Sequence, residues 1–193
     1  MTKIRVKNEA TRVSQGAIFK DVECIESVTE VSGVIEVSRI VYPLAVVMTQ
    51  DCDLEQDVRN NPNAGTGDDK KLLSVLVVPL YNAEMVFLGK HLSDLELEMT
   101  PIKKSSTRGN NLMNNETPRY HYLDFPDDVS LVAQVADFKH YFSVNLMALS
   151  KRCETHFVCQ VSELYREHLS HRFASYLARI GLPEDKVTGP SAA

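Results

Sequence analysis

Val41-Tyr-Pro-Leu-Ala-Val-Val-Met-Thr-Gln-Asp-Cys-Asp-Leu-Glu55 is the stretch around which the rest of the chain is read. Pro43 fixes φ and ends whatever precedes it, and the apolar run Leu44 to Met48 follows. A run that short, with two valines at its centre, reads as a strand buried on both faces. It then breaks into Thr49-Gln-Asp-Cys-Asp53, where two carboxylates flank a thiol. Polarity placed straight after a core strand puts those side chains at its rim, the place where chemistry or recognition is expected.

Upstream, Gln15 to Glu26 alternates apolar and polar residues as a strand does, with Gly16 marking the opening turn. Thr29 to Ile40 is rich in Val, Ile and Ser around a single Gly33, which predicts a hairpin centred near Ser32-Gly33. Downstream, Asp57 to Lys71 contains the turn formers of Asn60 to Asp69 and reads as a loop. Leu72 to Leu80 is a second buried, Val-rich strand closed by Pro79, and a short helix is expected to begin near Asn82. Thr100 to Arg119 carries Lys103, Lys104, Arg108 and Arg119 among Ser, Gly and Asn, and reads as a solvated loop, a lid or a polyanion-binding arm.

Tyr120 to Phe125, Ser130 to Phe138 and Tyr141 to Leu149 read as extended segments. The clearest helix spans 162–180, with Ser162 as N-cap, Glu163 in the first turn and Gly181-Leu-Pro as stop signal. Tyr165, Leu169, Phe173, Tyr176 and Ile180 recur at helical spacing, and His168, Arg172, Ser175 and Arg179 form a stripe beside them. The tail 184–193 is expected to be disordered. The fold class is mainly β with α, one elaborated barrel domain over 1–183.

With 193 residues, 44% of them hydrophobic, the chain can bury one core without disulfides or metals. A net charge of −5 argues against broad, nonspecific binding of duplex nucleic acid, though it leaves room for a local basic groove. No stretch approaches the roughly 18 apolar residues of a membrane span, and no signal peptide is read at the N-terminus. Four cysteines are too sparse for a secreted disulfide scaffold, so reduced thiols and a cytoplasmic location are expected.

Three segments together suggest a family. Gln15-Gly-Ala-Ile-Phe-Lys-Asp-Val resembles the opening G-D-I-x-x-V strand of the PemK/MazF-like toxins, Tyr42-Pro-Leu-Ala-Val-Val-Met-Thr their R-P-A-V-V-L-S strand, and Val75-Leu-Val-Val-Pro-Leu-Tyr their V-V-P-L-T strand. The resemblance covers about residues 15 to 81. It implies an SH3-like β-barrel from a bacterial toxin–antitoxin or phage-defence system. Its activity would be metal-independent cleavage of single-stranded RNA, by helping a 2′-hydroxyl attack the adjacent phosphate. In the family an arginine precedes the proline of the second segment and a threonine or serine follows the second Pro-Leu. Tyr42 and Tyr81 stand at those positions here.

The candidate catalytic residues are therefore Arg39, Asp51, Asp53, His168 and Arg172. Arg39 or Arg172 would supply the cation, and Asp51, His168 or His121 the acid or base. No cofactor and no metal are expected. RNA, or a protein partner such as an antitoxin or a defence-system subunit, is the expected ligand, with a homodimer as a further expectation. A second reading keeps the barrel but makes it a catalytically silent adaptor, with Gln50 to Glu55 as its recognition edge. A third uses Cys153-x2-His156-x2-Cys159 as part of a zinc site. Each residue also has a structural reading: helix capping for Asp51 and Asp53, a turn for Cys52, a strand with buried thiols running on as Phe157-Val-Cys-Gln-Val161 for the cysteine segment, and a solvated helix face for the stripe. Two flanking negative charges oppose thiolate formation, so a nucleophilic Cys52 needs a His or Arg brought from elsewhere.

Overall fold

A computed structural model describes residues 4, 6–7, 11–60 and 68–179 of the protein. Its long apolar runs pair as antiparallel strands in one curled sheet, ordered β1-β8-β2-β3-β4-β6-β5, with β7 also on β4. In chain order the elements are β1 (Val6–Lys7), β2 (Ala17–Val31), β3 (Val34–Val47), α1 (Asp51–Asn60), β4 (Ser74–Asn82), α2 (Ala83–Phe87) and α3 (Thr107–Met113). They continue as β5 (Tyr120–Leu123), β6 (Gln134–Asp137), β7 (Phe142–Asn145), α4 (Leu146–Ser150), α5 (Cys153–His156), β8 (Phe157–Val161) and α6 (Glu163–Leu177). The fold is thus mixed α/β, with a C-terminal helix packed on a mainly antiparallel sheet.

The Leu44 to Met48 run is buried on both faces, as its composition predicts. Val46 packs with Ile18, Val78, Leu123 and Phe138 on one side, beneath Leu169 and Phe173 of α6. Its neighbours Ala45 and Val47 pack with Phe19, Val77, Leu54 and Leu146 on the other. Alternate residues of one strand feed two cores because side chains switch faces at every step. Each fully buried aliphatic side chain contributes about 1.5–3 kcal/mol.

The region before Leu44 differs from its sequence reading. A strand to Glu26 and a separate hairpin were expected, whereas β2 and β3 run unbroken for 15 and 14 residues. A bulge between Ile25 and Ser27 absorbs the break in alternation that separates the two in sequence. The hairpin turns at Ser32-Gly33, where both residues have positive φ (54° and 81°), as a two-residue I′ turn requires.

Beyond the body of the sheet this hairpin stands as a bare ribbon. β2 pairs with β8 only at Ala17 to Phe19, and β3 with β4 only at Ala45 to Val47. Every residue from Ile25 to Arg39 is exposed. The register sets Val28 opposite Val37 and Ile25 opposite Arg39, so Ile25, Val28, Ile35, Val37 and Val41 share one face, with Glu23, Glu30 and Arg39 among them. Their exposures run from 48% to 69%. A two-stranded ribbon is marginal in water by itself, so this apolar face is unusual for an isolated surface.

Other corrections have local causes. The loop expected from Asp57 gives way over residues 57–60 to helix α1, which begins at Asp51 and is anchored by buried Leu54 and by Asp57, whose carboxylate accepts from the Leu72 amide at 2.8 Å. Residues 61–67 of the expected loop lie outside the described residues. The basic stretch 100–119 contains α3, which Ser106 caps by accepting from Gly109 N at 3.2 Å. Leu112 is its one fully buried large side chain, with Met113 packed beside it, too little for hydrophobic periodicity to reveal. Asn145 ends the extended segment expected to reach Leu149 by capping α4. The expected strand 130–138 shortens to β6, while the strand read in Phe157-Val-Cys-Gln-Val161 is β8, with Cys153 on α5 before it. In α6 the Ser162 side chain makes no cap hydrogen bond. Ile180, the Gly181 stop and the tail 184–193 lie outside the described residues.

Gly89 ends α2 at φ 73°, and a Cβ there would drive into the Met99 carbonyl. Gly89→Ala is expected to cost about 1–3 kcal/mol and to shift the turn carrying His91. A thermal melt and the His91 NMR signals check both.

Candidate functional site

The cleft arises where two strands part. β3 and β4 are paired from Val47–Val77 to Ala45–Pro79 and then splay. Pro43 has no N–H to continue the ladder, and β4 turns its last residues, Leu80 to Asn82, to β6. The opening is about 340 Å³, walled by Ile40, Leu44, Leu80, Met85 and Leu92, with Tyr42, Tyr81 and His91 in its lining. From Val34 to Leu44 the edge of β3 facing this opening has no strand beside it among the described residues.

Behind the lining lies a buried polar network. Asp137 ends β6 fully buried and accepts two hydrogen bonds from Arg119, Nε at 2.8 Å and Nη2 at 2.5 Å, and one from the Lys139 amide at 3.1 Å. His140 Nδ1 lies 3.5 Å from its Oδ2 and 3.0 Å from the Tyr81 hydroxyl. His91 Nε2 is 4.0 Å from the same carboxylate oxygen. The His91 side chain is 1% exposed and neither ring nitrogen has a hydrogen-bond partner. Tyr42 meets Tyr81 edge to face, with ring centroids 6.4 Å apart.

Electrostatics keep this floor uncharged. Burial, reinforced by neighbouring Tyr42 and Asp137, pushes the Tyr81 phenol well above its ordinary pKa, and burial likewise raises Tyr42. Burial lowers His91 and His140 despite the Asp137 carboxylate. Arg119 is held charged by its bonds to Asp137. Near neutrality the floor therefore presents two phenols, two neutral imidazoles and one internally balanced ion pair, with exposed Lys90 and Asp94 elsewhere in the lining. Such a surface suits an apolar or planar group.

The residues singled out in sequence fall in three other places. Arg39 lies on the ribbon, bonded to Glu23 at 3.2 Å. Asp51 is gripped by Arg12 (3.0 and 3.2 Å), by the Gln15 amide (3.1 Å) and by Arg166 of α6 (3.6 Å). Burial alone would raise its pKa, but these partners outweigh it and hold the carboxyl below its usual value. Asp51 thus ties the segment before β2 to α1 and α6. Asp53 is exposed in the first turn of α1, beside exposed Cys52. His168 and Arg172 come together on α6 against β5: the ring of His168 is 5.3 Å from that of His121, and Arg172 Nη2 donates to the Thr117 and Tyr120 carbonyls at 2.7 and 2.9 Å. Arg166, and not His168 or Arg172, is the α6 residue that reaches Asp51.

Cys153 and His156 lie on the short α5 and Cys159 is buried in the core, its thiol pushed up to about 12 by burial. Among the described residues no three His, Cys, Asp or Glu side chains gather to hold a metal ion. No described helix is long and apolar enough to cross a membrane.

His121, 3% exposed, has its pKa driven down to about 3, first by burial and then by Arg172 and His168. A folded-state value below the unfolded one, near 6.5, means the unfolded chain takes the proton first. Stability from this residue is complete above about pH 6.5 and drains away as pH falls toward 3. Urea melts from pH 7 to 4 should show the decline, and His121→Phe should flatten it.

Tyr42 and Tyr81 were marked in sequence only through the resemblance. Nothing there marked His91 or Asp137, and Arg119 was noted only within the basic stretch; with His140, which shares a segment with Asp137, they come from three segments. The one faint signal is an acid, Asp137, closing the apolar run Val135-Ala136. No family model, curated protein or solved structure matches the chain.

Proposed function

We propose that the chain is a PemK/MazF-like protein with an SH3-like barrel, from a bacterial toxin–antitoxin or phage-defence system, and that it binds a protein partner and does not cut RNA. The partner adds an extended segment to the open edge of β3, seats an apolar or aromatic side chain against Tyr42 and Tyr81, and covers the apolar face of the ribbon. The observation that carries this is the splay of β3 from β4, which leaves a strand edge unpaired among the described residues and opening on a mainly apolar cleft with Lys90 and Asp94 in its lining. Unpaired edges bind added strands through main-chain hydrogen bonds, with side-chain pockets giving selectivity. The barrel assignment draws support from the three family-like segments, which become the adjacent strands β2, β3 and β4.

Charge favours protein over RNA. Glu23, Glu26, Glu30 and Glu36 crowd the ribbon, and its Arg39 is neutralised by Glu23. A phosphate backbone laid along this edge would be repelled. Arg119 is committed to Asp137, and exposed Lys90 shares the lining of the opening with exposed Asp94.

One observation favours the endoribonuclease reading instead: His91, neutral and with both ring nitrogens unpartnered, is a competent base for a 2′-hydroxyl. Incubating the protein with single-stranded RNA in chelator decides between the two. Intact RNA is expected. Cuts leaving 5′-hydroxyl ends, abolished by His91→Gln, would establish the nuclease.

A further inference from the structure

Away from the cleft, α6 and the segment before β5 enclose a groove of about 450 Å³, lined by Glu116, His168, His171, Arg172, Ser175 and Arg179 among others. Four of these are basic and one is acidic. His168 also borders an adjoining space of about 330 Å³, where His121 and Asp124 lie. Buried nitrogens here are unsatisfied. Arg172 spends Nη2 on two backbone carbonyls, forms no ion pair among the described residues, and leaves its buried Nε without a partner. His121 Nδ1, on a side chain almost wholly enclosed, has none either. A half-buried guanidinium with no counter-charge is costly. Its effect is legible in its neighbours: Arg172 contributes, after burial, to depressing both His121 and His168.

The missing partner is an anion, and its shape can be narrowed. A carboxylate binds best as a planar fork across two guanidinium nitrogens. That mode is compromised, because Nη2 is already bound to Thr117 and Tyr120. The remaining groups come from separate side chains and separate directions: two imidazoles, a second guanidinium and the Ser175 hydroxyl. Donors spread in this way suit a tetrahedral oxyanion. Arg179 adds a further feature, since its guanidinium lies 3.9 Å over the Tyr176 ring and is thereby held at the groove.

We infer that this groove is a phosphoryl-binding site, taking inorganic phosphate or the phosphate of a small ester, with His168, Arg172 and Arg179 as its anion-holding residues. The inference stands independently of the cleft and its partner, since it uses none of the same residues.

Calorimetric titration of the whole chain with inorganic phosphate, AMP, adenosine and acetate tests it. Phosphate and AMP should bind saturably with similar affinity, while adenosine and acetate should not. His168→Gln and Arg179→Gln, both at the groove surface, should each weaken phosphate binding about tenfold with unchanged melting temperature. Arg172 is left intact because it also holds β5. The His168 C2–H resonance should move on adding phosphate, which a purely structural histidine would not do. A single-stranded RNA hexamer identifies the source: binding more than tenfold tighter than AMP assigns the phosphoryl group to a polymer backbone, and equal binding to a small molecule. Absence of saturable phosphate binding, or binding untouched by both substitutions, would overturn the site.

Discussion

Asp137→Ala is expected to lower stability by about 3–5 kcal/mol, because removing one partner of a buried pair strands the other charge. The Asp137 side chain is fully enclosed and Arg119 only 22% exposed, so solvent cannot take over either role. The loss reaches further than the pair. Asp137 also caps the turn at Lys139 and neighbours His140, which holds the Tyr81 hydroxyl. The variant should therefore loosen the lining of the cleft as well as the core. Urea denaturation gives the magnitude from the shift in midpoint at constant slope. The double variant Arg119→Leu with Asp137→Leu serves as control. Replacing both charges with apolar groups should cost less than Asp137→Ala alone, since no buried charge remains unpaired.

The second large effect is on binding and should leave stability untouched. Ile35→Asn combined with Val37→Asn removes two β-branched side chains from the exposed face of the ribbon, where they are 69% and 51% accessible. Substitutions at such surface positions change stability by no more than about 0.5 kcal/mol each. If a partner buries this face, losing both should cost about 3 kcal/mol, on the order of a hundredfold in affinity. Co-purification with the partner, alongside a thermal melt, reads the two quantities together. A loss of stability with partner binding retained would mean that the ribbon face serves folding and not recognition.

The sequence was most informative where burial was densest. Leu44 to Met48 and Leu72 to Leu80 announce core strands because apolar runs of that length have few other uses, and Ser32-Gly33 announces its turn because glycine tolerates positive φ. The helix after Ser162 is legible from the spacing of Tyr165, Leu169 and Phe173. α3 was not, since one buried leucine sets no period. Continuity of β2 and β3 was also hidden, because the bulge near Glu26 interrupts the alternation that reveals a strand.

For the site, local sequence was a poor guide. The Asp-Cys-Asp segment drew attention by its density of polar groups, yet Asp51 is spent on Arg12 and Arg166 as a tie between elements. The cleft network is assembled from single residues on β3, β4, β6 and the connecting loops. Each is unremarkable among its neighbours in the chain, and their relation depends on how β3 and β4 splay after Pro43. Tyr42 and Tyr81 entered only as the residues standing where the family places its reactive side chains. The same fold geometry that brings those two positions together also surrounds them with an uncharged floor, and this turns the reading from cutting toward binding.

Photocrosslinking from the cleft tests that reading most directly. Met85 is partly exposed on its wall, and a benzophenone amino acid placed there in the full chain would react with whatever occupies the opening in the living host. A discrete protein adduct is expected, mapping to an extended segment of the partner and lost with Ile35→Asn and Val37→Asn. An adduct to RNA would contradict it, as would the absence of any adduct while the same probe on the outer face of α6 behaves identically.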